Sequence, residues 1–457
     1  MAYLKVQKEA SHMEIEIPLS VKISVAEDKA NINDIVKAIG RVLQETGVHL
    51  LKQVLKQWEE RIVAAFCAGV ATVEHRRKGR RGRACQGRQG WIRKGETRQA
   101  RGFTTLLGEV KLRLREVKCR GCGARLRPLL GWLGLAPYQR EEMGIKQKGI
   151  DLAVDLSYRR GSRQMENLGG VRVSRGRLNS WVKGTEMEMD ISLEGWPKLI
   201  YADGTGYHRQ DGTQGQVKLV LIKGFSGKVD GVKVYVGRRW EEIGRELKSQ
   251  LGEERLRGCV LLSDGEEAIE KNLLVEGMEH QRCQWHGWKD LGYMLWAEGM
   301  SKEERAIIVS QLKKMPIALP FEERAAAHED REEIGEKLRK VKASLEEMVA
   351  YLKSKGYLKA SVYLHRAGEK LFTYVGLWLG KGIQVAKTTD IMERTMREVA
   401  RRAKRIGASW GDLGLLAILK FLLKRYFDKE GYQRQWDRYY NPGACQATLI
   451  TAQAVRS

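Results

Sequence analysis

The sequence predicts an α/β protein with a separate, strongly basic amino-terminal region. Three observations carry that prediction. Apolar strands recur between residues 198 and 283, and from residue 240 on they alternate with helix-period segments. Residues 287–385 are almost wholly helix-forming, with charged faces such as EERAAAHEDREEIGEKLRKVKASLEEM. Residues 75–101 carry eleven Arg or Lys against one Glu, too polar a run to build a core.

A chain of 457 residues is long enough for two to four domains, and 42% hydrophobic with 30% charged residues excludes a disordered polymer. No apolar run reaches 18 residues. The most apolar stretch, Leu413 to Leu423, is short and interrupted by Lys420. The first residues, MAYLKVQKEASHMEIEIPL, lack the basic-then-apolar layout of a signal peptide. A cytoplasmic, nucleoid-associated protein without a membrane partner is expected. The net charge of +25 and pI near 9.7 point to a polyanionic partner, with nucleic acid first and a merely basic or ribosome-associated protein as the alternative. A second basic run, RTMREVARRAKR, spans Arg394 to Arg405. Seven cysteines without an export signal argue against a disulfide framework.

Along the chain, residues 1–74 read as an α+β segment. HMEIEIPLSVKISV alternates like one or two strands, and a helix follows from about Asn33 to Val70. Residues 75–135 combine a basic arm, carrying Arg76, Arg77, Arg80 and Arg81, with a small β-ribbon built on TTLLGEVKLRLREVKCRGCGARLRPL. Cys119 and Cys122 have metal-ligand spacing, and Cys85 or His75 could complete a zinc set. A tight turn with two reduced thiols is the alternative. Residues 136–190 read as three helices: Ile150–Tyr158, Arg160–Leu168 ended by Gly169-Gly170, and Arg175–Lys183 capped by Ser174. With Arg175, Arg177 and Asn179 exposed on the third, this fits a DNA-binding helix-turn-helix or, more plainly, a helical hairpin.

Residues 195–300 open with strands at 198–205, 216–223 and 232–236. A helix at 240–251, a strand at 259–263, a helix at 266–272 and a strand at 279–283 follow. Three consecutive strands, then helix–strand–helix–strand, is the order of an RNase H-like core. Residues 301–385 then read as a helical insertion, 386–415 as the returning final helix of the core, and 416–457 as a mixed tail.

Asp203 and Asp264 each follow an apolar strand and precede a glycine. An acid at the carboxyl end of a buried strand projects into the crevice where open α/β sheets bind ligands. Two such acids repel unless a cation neutralises them, and Mg²⁺ or Mn²⁺ suits oxygen ligands of this kind. Either Asp alone is more simply a turn residue. Glu393 is the candidate third acid, in the early turns of a helix that Thr388 or Thr389 can cap. It shares one face with Arg397 and Lys404, and Arg401 and Arg402 follow on the same helix. A mixed-charge surface helix would look the same.

Cys283-Gln-Trp-His286 resembles the C/DxxH motif of Mutator-like transposases and their bacterial insertion-sequence relatives. TTDIMERTMREVARRAKRIGASW is similar to the block that supplies the last acid in those enzymes, its GASW ending to the ISLre-type branch. DGTGYH and LLSDG resemble the contexts of the first two acids. Asp390 stands where that block usually has Asn. The resemblance covers about residues 195–415. It implies a DDE transposase with catalytic, Mg²⁺-binding acids Asp203, Asp264 and Glu393, and with Cys283 and His286 beside them. It also implies terminal inverted repeats and target DNA as partners, handled by an oligomer. Half a zinc site or a buried structural histidine is the plainer account of Cys283 and His286. Another RNase H-like nuclease, or a domesticated DNA-binding regulator with an inactive core, remains as an alternative function. Of the twelve tryptophans, most are expected in cores, and one or two could stack on a flipped base.

Overall fold

The computed structural model describes residues 14–19, 21–24, 31–76, 84–135, 138–189, 198–224, 229–320, 328–406, 409–440, 444, 445 and 447. The protein is mixed α/β, and its chain divides into two compact units, residues 1–181 and 182–457.

The first unit begins with α1 (Ile32–Cys67). Asn31 and Asp34 cap its start reciprocally, each side chain accepting from the other's backbone N–H. Only the last third of α1 is buried, through Ile62, Val63 and Phe66, against a β-rich knot. That knot comprises β1 (His75–Arg76), β2 (Ala84–Cys85), β3 (Trp91–Glu96), β4 (Arg101–Thr105), β5 (Gly108–Leu112), β6 (Arg115–Cys119) and β7 (Arg125–Leu126). The strands pair as β1-β2, β3-β6-β7 and β4-β5. About half of residues 84–102 are therefore built into sheet, although the run was expected to be too polar to build a core. A single apolar anchor explains the difference: Trp91 is buried edge-on against Phe66, with ring centroids 5.4 Å apart. The strands expected before residue 25 do not form among the described residues there, where Ile15 and Ile17 are only half-buried.

Helices α2 (Pro128–Trp132), α3 (Met143–Asp155), α4 (Tyr158–Gly169) and α5 (Arg175–Gly184) follow. Tyr158 starts α4 instead of ending α3, because Ser157 is extended and its hydroxyl accepts from Arg160 N–H at 3.3 Å. Gly170, at φ 61°, stops α4 in the left-handed region, and Ser174 Oγ accepts from Arg177 N–H at 3.2 Å to start α5.

The second unit is organised on one five-stranded mixed sheet. Its strands are β8 (Lys198–His208), β9 (Gln214–Gly224), β10 (Val229–Val236), β11 (Val260–Ser263) and β12 (Glu279–Arg282). The order is β10-β9-β8-β11-β12, with β9 and β10 antiparallel to their neighbours and β8, β11 and β12 mutually parallel. Ile200, Ala202, Val220, Ile222 and Leu261 pack with α6 (Trp240–Leu251), α7 (Glu253–Arg257) and α8 (Glu267–Leu273). The alternate residues of the strands belong to the other face.

Helices α9 (Gln284–Ala297), α10 (Lys302–Lys313), α11 (His328–Ser354), α12 (Leu358–Leu371) and α13 (Thr373–Lys381) form the helical block. It is fastened to the sheet edge by buried amides. Gln281 and Gln284 both donate to Leu371 O, at 3.0 and 2.9 Å, and Gln281 accepts from Tyr374 N–H at 2.8 Å. The chain returns as α14 (Asp390–Ala400), which packs on β8 and runs into a wider turn at Arg401–Arg405.

The segment expected as a mixed tail begins, among the described residues, with two helices, α15 (Asp412–Phe427) and α16 (Lys429–Asp437). The apolar run from Leu413 to Leu423 is the buried face of α15 with only Leu413 exposed, and α15 packs on β10. Asp412 fixes its start by accepting from Arg209 (Nε at 2.8 Å and an η-nitrogen at 3.0 Å) and from the Tyr207 hydroxyl.

Candidate active site

The parallel pairing of β8 with β11 places two acids side by side. Ser263 pairs with Ala202, so Asp264 and Asp203 stand at the next step on adjacent strands. Both are half-buried. Burial, reinforced by the charge of Asp264, pushes the Asp203 carboxyl up to about 7, against the Gly204 backbone N–H and His286, which lower it. Asp264 Oδ1 accepts from Glu266 N–H at 2.9 Å. Gly265 takes φ 95°, and a Cβ there would meet the Arg282 guanidinium at 2.2 Å, so the turn after Asp264 admits only glycine.

Beneath this turn lies a buried polar chain. Ser263 Oγ is 2.9 Å from His280 Nε2 and accepts from Gly265 N–H at 3.2 Å. Burial holds His280 down to about 4, so it is neutral; Glu270 works the other way. Arg282 donates to the Tyr363 hydroxyl at 2.8 Å and lies over that ring.

Glu393 sits in the first turn of α14, half-buried, and Oε1 is buried without a hydrogen-bond partner. Donor atoms of Cys283, His286 and Glu393 lie within 4.8 Å of one another, whereas Asp203, Asp264 and Glu393 form no such cluster among the described residues. Thr389 takes the cap position of α14, but its side chain is turned to Cys283 and makes no cap bond. Burial would raise the Cys283 thiol, yet His286 and Thr389 outweigh it and hold the thiol below its ordinary value. For His286, burial is outweighed by the Cys283 sulfur and by the charges of Asp264 and Asp203, which raise its pKa.

Two acids near this site were missed in the sequence. Asp290 lies one helical turn after His286 and is half-buried. Burial raises its pKa, and it feels the charges of His286, Arg282 and Asp264. Glu266 accepts from Trp240 Nε1 at 3.2 Å. The i, i+4 spacing from His286 to Asp290 was the available signal.

Among the basic residues, Arg397 is exposed on α14, and Lys404 donates to Thr205 Oγ1 at 2.8 Å beside the strand that carries Asp203. Arg401 pairs with Glu398 at 2.8 Å. Arg402 is not available to a phosphate: it is 1% exposed, with its guanidinium 4.6 Å from the centre of the Trp410 ring. Arg175 is exposed, Asn179 is half-buried, and Arg177 pairs with Glu141 at 3.3 Å. Arg76 lies in β1 opposite Ala84; Arg77, Arg80 and Arg81 fall outside the described residues. Trp285 and Trp296 are 47% and 64% exposed, while Trp181, Trp240, Trp288 and Trp410 are buried.

In the first unit, His75, Cys85, Cys119 and Cys122 bring their donor atoms within 4.8 Å of one another. Both His75 and Cys85 join the CxxC pair, and this set could hold a metal such as zinc. No protein-family model matches the chain, and no curated protein matches its sequence.

Proposed function

We propose that the chain is a DDE transposase, of the kind its motifs resemble, that cleaves DNA at the ends of an insertion sequence and joins the freed strand to target DNA. The observation that carries this reading is the pairing of Asp203 with Asp264 on adjacent parallel strands, each close enough to feel the other. An RNase H-like core accounts for the strand order around them, and the Cys283–His286 pair and Glu393 cluster where α9 meets α14, which packs on β8, the strand of Asp203.

In this reading Asp203 and Asp264 offer hard carboxylate oxygens to Mg²⁺ or Mn²⁺, and Glu393 supplies a buried oxygen that lacks a partner in the protein. The bound ions would activate a water or 3′-hydroxyl and stabilise the leaving oxygen. His286, biased toward its cationic form, faces the acids and can hold a phosphate oxygen. Arg397 and Lys404 extend the positive field along α14 and its continuation. Helices α4 and α5 would serve as a helix-turn-helix with Arg175 and Asn179 toward the duplex, and the basic arm would add phosphate contacts. Holding two element ends together calls for an oligomer on DNA.

A second reading, a DNA-binding regulator with an inactive core, is favoured by one observation: Glu393 clusters with Cys283 and His286 and not with the two aspartates. One experiment separates them. The purified protein and its Asp264→Ala variant are incubated with Mg²⁺ or Mn²⁺ and DNA carrying the flanking ends of its own gene. Metal-dependent nicks at those ends that vanish in the variant support the transposase. Tight binding with no nick by either protein supports the regulator, and nicks that persist in the variant refute the carboxylate assignment.

A further inference from the structure

We infer that His75, Cys85, Cys119 and Cys122 bind one structural Zn²⁺, and that this ion is the clasp of the basic arm. The inference rests, for its DNA half, on the nucleic-acid partner proposed above.

The metal half stands on geometry. Three cysteines and one histidine form a closed four-ligand set of the structural zinc type. A Zn–S distance of about 2.3 Å in a tetrahedron puts two sulfurs about 3.8 Å apart. Cys85 Sγ and Cys119 Sγ are 3.9 Å apart, close to that edge and far beyond a disulfide bond. Cys122 Sγ is 3.1 Å from His75 Nε2. The other ring nitrogen, Nδ1, lies 3.0 Å from Val73 O, a contact that fixes the tautomer with Nε2 free for a metal. Buried Trp91 walls the site, its ring 4.8 Å from that of His75.

The clasp half stands on connectivity. His75 and Cys85 are partners in the two-residue pairing of β1 with β2, and they are also two of the four ligands. Between them the sequence is RRKGRRGRA, with six Arg or Lys and no acid. That pairing has only two residue pairs to hold six mutually repelling cations at its neck. A metal bound to both ends, and through Cys119 and Cys122 to β6 and its turn, ties the neck to the folded knot. Removal of the metal is then expected to weaken DNA binding without touching the second unit's acids.

The test uses the full chain. Zinc content is measured on protein purified without added metal, Co²⁺ is substituted for its sulfur-to-cobalt absorption, and affinity for a short mixed-sequence duplex is measured with and without bound zinc. One zinc per chain, a thiolate–cobalt band, and a loss of about tenfold or more in DNA affinity with a flatter salt dependence on zinc removal are expected. Cys122→Ser should lose the metal. Because that variant can also misfold, His75→Cys serves as the conservative companion: it should keep both zinc and DNA affinity. A doubly substituted Arg80→Ala/Arg81→Ala chain should keep zinc and lose affinity. No zinc and no cobalt band, or a Cys85–Cys119 disulfide in freshly purified protein, would overturn the metal site. Bound zinc whose removal leaves DNA affinity unchanged would overturn the clasp. A zinc-loaded chain with no DNA affinity at all would refute both the clasp and the function proposed above, while supporting the metal site.

Discussion

Asp264 stands one step beyond the Ser263–Ala202 pair, beside Asp203, and its charge joins burial in holding the Asp203 carboxyl near 7. The sign of the consequence is fixed. From about pH 4 to about pH 7 the folded protein keeps this proton and the unfolded chain does not, so stability falls as pH rises through that window. Asp203→Asn should therefore stabilise the metal-free protein at about pH 8, by about 1–2 kcal/mol once solvent screening is allowed for. A divalent cation should compete with the same proton: Mg²⁺ affinity should rise up to about tenfold per pH unit below about 7 and level off above it. Calorimetric titration at several pH values checks this, and a flat profile would exclude Asp203 from the metal site.

His286, on α9, feels the charges of both acids, its Nδ1 is buried and unpartnered, and Cys283 is wholly buried. His286→Ala should lower strand transfer about 10²- to 10⁴-fold with little change in melting temperature. A variant that unfolds instead would make this a structural histidine, whose work is to pair with Cys283.

The second unit was largely legible because its strands are long or strongly apolar. The runs at Lys198–His208 and Gln214–Gly224 are buried along most of their length, and Trp240–Leu251 is a helix with the expected bounds. What failed to show in the sequence depended on long-range partners. Trp91 builds sheet in a polar segment because Phe66 covers it. The alternation at Ile15 and Ile17 makes no strand, and no described strand pairs with it. The tail begins as helix because β10 receives α15, and period alone does not reveal that neighbour. For the site, the two Asp-Gly steps were visible, whereas the clustering of Glu393 with Cys283 and His286 was not, since it depends on how α14 approaches α9.

If the chain binds DNA as proposed, Trp285 is our candidate for base stacking. It is exposed beside His286, with ring centroids 4.7 Å apart, and Lys289 Nζ lies 4.9 Å above its ring. Trp285→Ala should weaken binding to DNA with an unpaired base near the cut by about 1–3 kcal/mol, with no loss of stability. Fluorescence quenching of the wild-type protein by such DNA, absent in the variant, checks the assignment. Equal quenching in both would move it elsewhere.

Arg402 separates charge that binds from charge that folds. Its neighbour Arg401 is partly exposed and paired to Glu398 across one helical turn, a contact that contributes little in water. Arg402, 1% exposed against Trp410, has lost its hydration and recovers part of it from the ring face. Trp410 in turn donates through Nε1 to Ala403 O at 3.1 Å, so the ring is fixed to the turn that carries Arg402. Truncation to Ala leaves a cavity and frees the ring, and should cost about 2–4 kcal/mol. Arg401→Ala should cost under about 0.5 kcal/mol. If Arg402 is structural, the salt dependence of DNA binding by its variant matches the wild type under conditions where both are folded. If it instead meets a phosphate, the slope of log affinity against log salt falls by about one.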